Sequence, residues 1–286
     1  MSRKLLDDCF LHDKDRMRHD DAVALILERT SPVTDVETVV LSKAHGRVLA
    51  EPYAAPRDIP AFNNAAVDGY AFAGSELKAG KDTSINVVMR VSAGHAPERG
   101  LKKGDAARIF TGAVMPEGAD TCLMQEDAVV EGTRLVVPKG LKPGANTRLA
   151  GEDVKEGEVM LQPGQRLRPQ DVAAIASGGA GRVQVFARLK VGLISTGDEI
   201  VRPGNIIGDG KVYDSNHHLL RGLLNTVGAE PVDYGVIPDD RVRVERVVRS
   251  AAHECDVILT TGGASRGEAD FIVETIQSMG TLHGWQ

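Results

Sequence analysis

The sequence lacks any long hydrophobic run and has few cysteines. Residues 1–18, where a leader would lie, alternate acidic and basic residues around short apolar pairs, unlike a signal peptide or a membrane span. The three cysteines, Cys9, Cys122 and Cys255, are too few and too far apart for a disulfide framework, and they match no zinc-ligand spacing. These absences exclude a disulfide-stapled or membrane-spanning protein and predict a cytoplasmic one.

Clustered positive charge is also missing. The chain carries 34 Lys and Arg against 40 Asp and Glu, a formal net charge of -6, and no run concentrates the basic residues. Binding to a nucleic-acid backbone needs such a cluster, so the sequence predicts no nucleic-acid partner. An acidic protein can still bind phosphorylated or oxyanionic ligands through backbone N–H groups at helix N-termini, with a divalent cation that offsets its own carboxylates.

What is present is the composition of a folded protein. Hydrophobic residues make up 42% and charged residues 26% of the 286 residues, and this length predicts about two domains. Apolar positions predict a helix over residues 20–30, and frequent Gly and Pro up to about residue 181 separate short β-type runs. These runs are residues 85–91, 107–110, 121–125 and 135–137, and a short helix at 169–176 leads into a strand at 183–186.

The pattern changes at Leu189. Apolar runs at residues 191–195, 232–236 and 257–261 alternate with amphipathic segments at residues 217–227, 241–253 and 271–279. This alternation predicts an α/β fold with a doubly wound parallel sheet, whose ligand site lies at the carboxyl ends of the strands. Residues 196–215 contain no periodic helix, and so long a connection in a compact domain indicates a functional segment.

Two glycine-containing segments follow strands of this predicted sheet. The sequence Ser-Thr-Gly-Asp-Glu at residues 195–199 places a tight turn and two carboxylates at the end of a buried strand. Residues 260–270 supply three glycines just before a helix, so backbone N–H groups can approach a phosphate or a pterin closely. Neither segment is a Walker A loop or a GxGxxG fingerprint, which argues against an ordinary ATPase or dehydrogenase.

Three further segments place a carboxylate or a hydroxyl beside glycine in the β-rich part. A Pro- and Asn-rich turn at residues 58–71 displays Asp68, Thr111 lies in a run at 108–113, and Asp153 ends the Gly-Glu-Asp sequence at 151–153. Taken singly, each segment is more typical of a plain turn than of a site, because Gly, Asp and Asn are the usual turn residues.

Together and in this order, the segments resemble the molybdopterin molybdenumtransferase family, which includes MoeA and the gephyrin E-domain. The resemblance covers the chain from about the first helix to the last residue, and the number of ordered motifs makes it specific. The matching motifs occupy residues 60–71, 111–113, 116–120, 125–127, 151–153, 195–199, 214–216, 239–240 and 262–270.

The resemblance implies that the chain inserts molybdate into adenylylated molybdopterin and releases AMP. Cleavage of a pyrophosphate link gives the acids a role, because Mg²⁺ prefers carboxylate ligands and neutralises phosphate oxygens. The catalytic residues implied by the motif match are Asp68, Thr111, Asp153, Glu199, Asp239 and Asp270. The pterin phosphate or nucleotide would be bound by Thr196, Gly197, Gly262, Gly263, Ser265 and Gly267. The metal ligands would be Glu199, Asp239 and Asp270.

The family also implies an elongated homodimer in which Asp68 and Asp153 come from the other subunit, with other cofactor-biosynthesis proteins as further partners. The implied domains are a discontinuous linker domain at residues 17–56 and 146–188, an inserted β-rich domain at 57–145, and an α/β molybdopterin-binding domain at 189–286. The chain ends at Trp285-Gln286, before the family's basic loop and C-terminal β domain, so the resemblance leads us to expect a truncated chain.

Two alternatives to the transferase stay open from the sequence. One is a fragment that binds molybdopterin or its nucleotide without catalysis, and the other is a scaffold protein of the gephyrin type. Several polar residues have simpler interpretations as well. Asp120, Asp198 and Glu268 are typical of turns or helix starts, and Asn216 is a good candidate for the N-cap of the helix that contains His217 and His218.

Overall fold

The computed structural model describes residues 18–262 and 271–281. Its α-helices are α1 (His19–Arg29), α2 (Pro169–Ser177), α3 (Ser215–Val227), α4 (Arg241–Glu254) and α5 (Phe271–Met279). Its strands are β1 (Val36–Val40), β2 (Tyr53–Ala54), β3 (Asn64–Ala65), β4 (Gly69–Phe72), β5 (Thr83–Val91), β6 (Asp105–Ile109), β7 (Thr121–Met124), β8 (Val129–Glu131), β9 (Arg134–Val137), β10 (Thr147–Arg148), β11 (Val159–Leu161), β12 (Arg182–Phe186), β13 (Lys190–Thr196), β14 (Ile200–Val201), β15 (Val212–Tyr213), β16 (Glu230–Ile237) and β17 (Val257–Thr261). None of the described helices combines the length and apolar composition needed to cross a membrane.

The chain divides into two compact units. One is Val36–Ala187, and the other combines the described residues up to Asp35 with those from Arg188 onward. We call them the β unit and the α/β unit. The finer division into a linker domain and an inserted domain stays a prediction.

A six-stranded sheet dominates the β unit, with strand order β7-β4-β6-β5-β9-β8. All neighbouring strands are antiparallel except β5 and β6, which run parallel. Side chains alternate between the two faces of a strand, so the consecutive buried residues Ala71 and Phe72 of β4 lie in two different apolar clusters. Both faces of the sheet are therefore covered at β4.

Short two-stranded pairings complete the β unit. Strand β1 pairs with β12, β2 with β11, and β3 with β10, each in the antiparallel sense. A separate core forms around Leu49, Leu167, Ile175 and Val185. Helix α2 begins with Pro169 at its first position, where a missing backbone N–H costs nothing.

The α/β unit contains a three-stranded parallel sheet of order β16-β13-β17. Leu193 and Ile194 of the central strand are both buried, so both of its faces are covered. Ile194 packs in a cluster with Val244 and Val248 of α4 and Ile272 of α5. The parallel strand-helix alternation predicted from residue 189 onward is confirmed, and strand and helix bounds differ from the predictions by only one or two residues at most ends.

Candidate functional site

The three parallel strands of the α/β unit end at one edge of their sheet. Thr196 at the end of β13 pairs with Ile237 at the end of β16, and Ser195 pairs with Thr261 at the end of β17. Parallel strands present their carboxyl ends on the same side, so the segments that follow them converge at this edge. Those segments begin at Gly197, Pro238 and Gly262.

Positions 197 and 262 require glycine for two reasons, the close approach of neighbouring atoms and the backbone conformation. Both have positive φ angles, 136° at Gly197 and 100° at Gly262, which disfavour other residues. A Cβ on Gly262 would lie 2.5 Å from Oγ1 and 2.8 Å from the carbonyl oxygen of Thr196, and a Cβ on Gly197 would lie 2.5 Å from Oε2 of Glu199. The glycines thus let the end of β17 approach β13 and let the Glu199 carboxylate lie against the β13 turn.

Asp198 and Asp239 bind each other's backbone. The N–H of Asp239 donates to Oδ1 of Asp198 at 3.2 Å, and the N–H of Asp198 donates to Oδ2 of Asp239 at 3.4 Å. Both side chains are exposed. This reciprocal pair links the turn after β13 to the turn after β16, so Asp198 holds the turn that presents Asp239, in line with its interpretation as a turn residue.

The long connection between β13 and α3 forms one wall of a cavity of about 370 Å³. Its backbone is fixed by the short parallel pairing of β14 with β15, in which Val212 N–H donates to the Glu199 carbonyl at 2.8 Å. Lys211 Nζ also donates to the Asp198 carbonyl at 2.6 Å. The cavity is lined by Thr196, Glu199, Ile200, Val212, Tyr213, Asp214, Ser215, Asn216, Thr261 and Gly262.

Asp214 is a buried carboxylate at the wall of this cavity. Its Oδ2 accepts a hydrogen bond from Ser195 Oγ at 2.6 Å, and its Oδ1 accepts one from the N–H of His217 at 3.0 Å. Burial opposes ionisation of Asp214, but these two hydrogen bonds and the nearby Arg202 guanidinium outweigh it and hold the pKa of the carboxyl below its ordinary value. Asp214 therefore joins β13 to the start of α3.

The prediction that Asn216 caps α3 is wrong. Asp214 is the N-cap, and Asn216 is the second residue of the helix, where it lines the cavity. Asp214, Ser215 and Asn216 can all act as N-caps, and the choice is decided by tertiary contact. Only Asp214 also receives the Ser195 hydroxyl from β13.

Behind Asp214 lies a charged cluster that the sequence did not reveal. Arg202 binds Asp233 at 2.6 Å and lies 3.6 Å from Asp214, while Nε2 of His217 lies 3.6 Å from Asp233. Within residues 18–262 and 271–281, the buried Nδ1 of His217 has no hydrogen-bond partner. Burial lowers the pKa of His217. The cluster joins the connection after β13, the start of α3 and β16, and no local pattern indicates it.

In the β unit, Asp68 is held by Thr111. The N–H and the Oγ1 hydroxyl of Thr111 both donate to Oδ1 of Asp68, each at 2.8 Å. These hydrogen bonds, the backbone one first, hold the pKa of Asp68 below its ordinary value. Within the described part of the chain, Oδ2 of Asp68 receives no hydrogen bond and is available to a ligand.

Asp153 is bound by an arginine that the sequence did not single out. Nη2 of Arg148 lies 2.7 Å from both carboxylate oxygens of Asp153, and Nε of the same arginine donates to Glu152 at 2.6 Å. Hydrogen bonds from the Leu149 N–H and then from Arg148 hold the pKa of Glu152 below its ordinary value. Arg148 lies three residues before the Gly-Glu-Asp motif, which is the only sequence signal for this contact.

Comparison with known proteins agrees with both units. Residues 17–179 match a family described as MoeA N-terminal region (domain I and II), and residues 192–284 match a probable molybdopterin binding domain. The first match covers more than half of the 286 residues. The chain belongs to the MoeA family.

Named MoeA relatives include a molybdopterin molybdenumtransferase of Haemophilus influenzae, 35% identical over 268 residues, which are 93% of this chain and 66% of that protein. A molybdopterin molybdenumtransferase of Nostoc sp. is 35% identical over 86% of this chain and 57% of its own length. A crystal structure of the molybdopterin biosynthesis MoeA protein from Pyrococcus horikoshii superposes with a TM-score of 0.79 at 32% identity, over 91% of this chain and 66% of that one. The chain thus spans between about half and two thirds of the length of these relatives.

The MoeA site residues predicted from the sequence fall into three groups in the structure. Thr196, Gly197, Glu199, Asp239 and Gly262 all lie at the carboxyl edge of the α/β sheet. Asp68 and Thr111 contact each other in the β unit, where Asp153 binds Arg148. Gly263, Ser265, Gly267 and Asp270 lie outside the described residues.

The Mg²⁺ ligand set predicted for this MoeA chain stays a prediction. Glu199 and Asp239 offer the carboxylate oxygens that Mg²⁺ prefers, and both follow strands that end at the same sheet edge. Among residues 18–262 and 271–281, no group of three or more acids, histidines or cysteines is placed to hold a metal ion. The third predicted ligand, Asp270, lies outside these ranges.

Proposed function

We propose that this chain works in molybdenum cofactor biosynthesis as a molybdopterin molybdenumtransferase, which inserts molybdate into adenylylated molybdopterin and releases AMP. The observation that carries the proposal is the cavity at the carboxyl edge of β13, which contains the family's Thr196, Glu199 and Gly262. The transferase is favoured over a molybdopterin-binding module without catalysis and over a scaffold of the gephyrin type, because relatives at 35% identity are named as transferases.

The cavity suits a ligand that joins a pterin to phosphates. Its floor is formed by the ends of β13 and β17, which Gly262 allows to approach each other closely, and α3 begins at its wall with Ser215 and Asn216. In the proposed reaction Thr196, Gly197 and Gly262 bind the pterin phosphate or the nucleotide, together with Gly263, Ser265 and Gly267. This arrangement orients the bond that joins the adenylate to the pterin phosphate, and orientation lowers the entropic part of the barrier.

The carboxylates are proposed to act at the metal and molybdate end. Glu199, Asp239 and Asp270 would hold Mg²⁺, which neutralises phosphate oxygens when it is bound. Glu199 lies against the turn at Gly197 and lines the cavity. Asp239 is fixed through Asp198, so its carboxylate is presented from a restrained turn. Asp68 with Thr111, and Asp153, complete the proposed set of catalytic residues.

We also propose a cytoplasmic homodimer in which Asp68 and Asp153 of one subunit act with the α/β unit of the other. Other proteins of molybdenum cofactor biosynthesis are proposed as further partners. The dimer is checked by analytical ultracentrifugation, where a sedimenting species of one chain mass at micromolar concentration would contradict it.

The test of the function is single-turnover release of AMP from adenylylated molybdopterin with molybdate and Mg²⁺. Glu199→Gln is expected to slow release on the order of 100-fold, the scale of losing one electrostatic group in a preorganised site. The matched control is Asp209→Asn, an exposed acid in the same connection that does not line the cavity. We expect the control to release AMP like the parent.

The outcomes separate the alternatives. Release by the parent and by Asp209→Asn, but not by Glu199→Gln, supports the transferase. If the parent binds the nucleotide and releases no AMP, the chain is a binding protein and the proposed catalysis is wrong. Replacement of molybdate by tungstate in a parallel assay reports which of the two tetrahedral oxyanions is used.

A further inference from the structure

Arg108 connects the segments that surround Asp68 in the β unit. It lies on β6, three residues before Thr111, and its Nη1 donates to the carbonyl oxygen of Gly69 at 2.9 Å. Its Nη2 donates to Oε1 of Gln125. Gln125 in turn donates its backbone N–H to the Asp68 carbonyl at 2.9 Å. One guanidinium therefore binds the residue after Asp68 and the residue that holds the Asp68 backbone.

The guanidinium of Arg108 is also restrained by aromatic rings. Its Cζ lies 5.0 Å from the ring centroid of Tyr70 and 4.7 Å from that of Phe110. Contact with an aromatic face is favourable for a cation and fixes the plane of the guanidinium fork. Tyr70 lies two residues after Asp68, and Phe110 directly precedes Thr111. One ring therefore belongs to the segment that contains Asp68, and the other belongs to the segment that binds its carboxylate.

We propose that Arg108 is a positioning residue for Asp68, acting through Gly69, Gln125 and the Tyr70 and Phe110 rings to fix the carboxylate at Thr111. The inference rests on the proposed function, in which Asp68 is a catalytic acid. The described contacts of Arg108 are with Gly69, Gln125 and the two rings, so it acts on the carboxylate through them. It sets the geometry in which Oδ1 of Asp68 accepts both Thr111 hydrogen bonds and Oδ2 remains available.

The charge of Arg108 contributes in the same direction as its hydrogen bonds. After the two Thr111 hydrogen bonds, the positive charge of Arg108 further lowers the pKa of Asp68. Lysine would keep a positive charge but cannot form the two-pronged contact with Gly69 and Gln125 or stack as a plane on a ring. Arg108→Lys and Arg108→Met therefore separate the effect of geometry from the effect of charge.

Arg90→Lys is the matched control. The Arg90 guanidinium lies 4.6 Å from the centroid of the same Phe110 ring, and Arg90 has no described hydrogen bond to Gly69, Gln125 or Thr111. The same substitution at the same ring thus leaves the Asp68 contacts intact. Circular dichroism confirms that each variant is folded before the measurements below.

Two readouts test the proposal. The first is the pKa of Asp68, followed by its carboxyl ¹³C resonance during a pH titration. The second is the single-turnover rate of AMP release, measured together with the affinity for adenylylated molybdopterin. We expect Arg108→Lys to raise the Asp68 pKa and to slow release on the order of 10- to 100-fold with unchanged affinity, as for a displaced catalytic group. Arg108→Met is expected to raise the pKa further, and Arg90→Lys to change neither readout.

An Asp68 pKa and a release rate that stay at parent values in Arg108→Lys and Arg108→Met would overturn the proposal. Equal effects of Arg90→Lys and Arg108→Lys would overturn it too, because they would indicate a general loss of packing at the shared Phe110 ring. If the parent releases no AMP, the proposed function fails, and the Asp68 pKa alone then decides whether Arg108 positions the carboxylate. If Arg108→Met does not fold, Arg108→Lys decides.

Discussion

At the scale of single residues, Asp214 is the side chain on which the cavity wall depends. It is 3% exposed and accepts two hydrogen bonds, from Ser195 on β13 and from the start of α3. An amide at this position has only one acceptor oxygen, and its NH₂ group would face a donor. The contacts of Asp214 should therefore matter both for stability and for the shape of the cavity.

Asp214→Asn is expected to lower the free energy of unfolding by about 1–3 kcal/mol, the cost of leaving a buried polar group unpaired. Urea denaturation followed by circular dichroism measures the change. The exposed Asp209→Asn, in the same connection, should stay within about 0.5 kcal/mol of the parent. Equal stability of Asp214→Asn and the parent would show that the two hydrogen bonds contribute nothing net.

The same residue predicts a pH dependence of stability. The pKa of Asp214 is lower in the folded chain than its ordinary value of 3.8, so the ionised carboxylate stabilises the folded state. This contribution is fully present above the ordinary value and is lost as the pH falls through it toward the folded pKa. Urea midpoints between pH 6 and pH 3 should fall less steeply in Asp214→Asn, and parallel slopes would contradict this assignment.

The positions that the sequence singled out were those near glycine in ordered motifs, and their roles in a site stay predictions. Each of these motifs combines glycine with an acid, as at Asp68 and Glu199. Such residue types are typical of turns and of exposed carboxylates. The contacts of Arg108 could not be predicted, because an arginine in a strand carries no local sign of its partner, and Arg148 is marked only by its place three residues before the Gly-Glu-Asp motif. Their roles depend on contacts with Gly69, Gln125 and Asp153 that only the folded chain creates.

At the scale of secondary-structure elements, the ends of β13 and β17 form the floor of the cavity through close contact at Gly262. Because a Cβ there would lie 2.5 Å from Thr196 Oγ1, an alanine must displace one strand end from the other. We expect Gly262→Ala to lower stability by about 1–3 kcal/mol, given its φ of 100°, and to weaken binding of adenylylated molybdopterin. Calorimetric titration and thermal unfolding measure the two effects.

Gly222→Ala is the control for this prediction. Gly222 lies in the exposed interior of α3, and a Cβ there would meet no atom within 4 Å. Alanine favours a helix interior over glycine, so this variant should be more stable by about 0.5–1 kcal/mol and bind like the parent. Loss of binding in Gly222→Ala as well would show that the effect of Gly262→Ala is not local to the strand ends.

The existence of most longer elements was predictable because their apolar periodicity is strong. The shorter pairings were not, and β14 with β15 shows why. Each has two residues, and their pairing is created by backbone hydrogen bonds across the long connection, such as Val212 to Glu199. A two-residue strand has no period to detect, so the sequence indicated a long functional connection without a helix at residues 196–215 but neither strand.

At the scale of the whole molecule, each of the two compact units has its own apolar core. The β unit buries Cys122, which is fully inaccessible, and burial raises the pKa of its thiol to about 11. Since the thiolate is the reactive form, Cys122 should not react with a thiol reagent at pH 8 until the six-stranded sheet opens. Peptide mapping after labelling at increasing urea tests this, and rapid labelling of Cys122 without urea would contradict the packing.

The order of strands in the large sheet also belongs to this scale. Alternation and turn residues predicted most of its strands, but β5 and β6 run parallel in the midst of antiparallel neighbours. Pairing partners are set by the packing of whole clusters and not by any one segment. The parallel sheet of the α/β unit was easier to predict, because the alternation of strands and helices itself dictates that the strands run parallel.

The carboxyl edge of β13 and β17 is the place where we propose that adenylylated molybdopterin binds. The most direct measurement is a titration of the ¹⁵N-labelled chain with this nucleotide, without molybdate, followed through backbone amide resonances. We predict saturable shifts at Thr196, Glu199, Asp214, Asn216 and Gly262, which line the cavity. No saturable shift, or shifts confined to residues 36–187, would contradict the claim and place the ligand elsewhere.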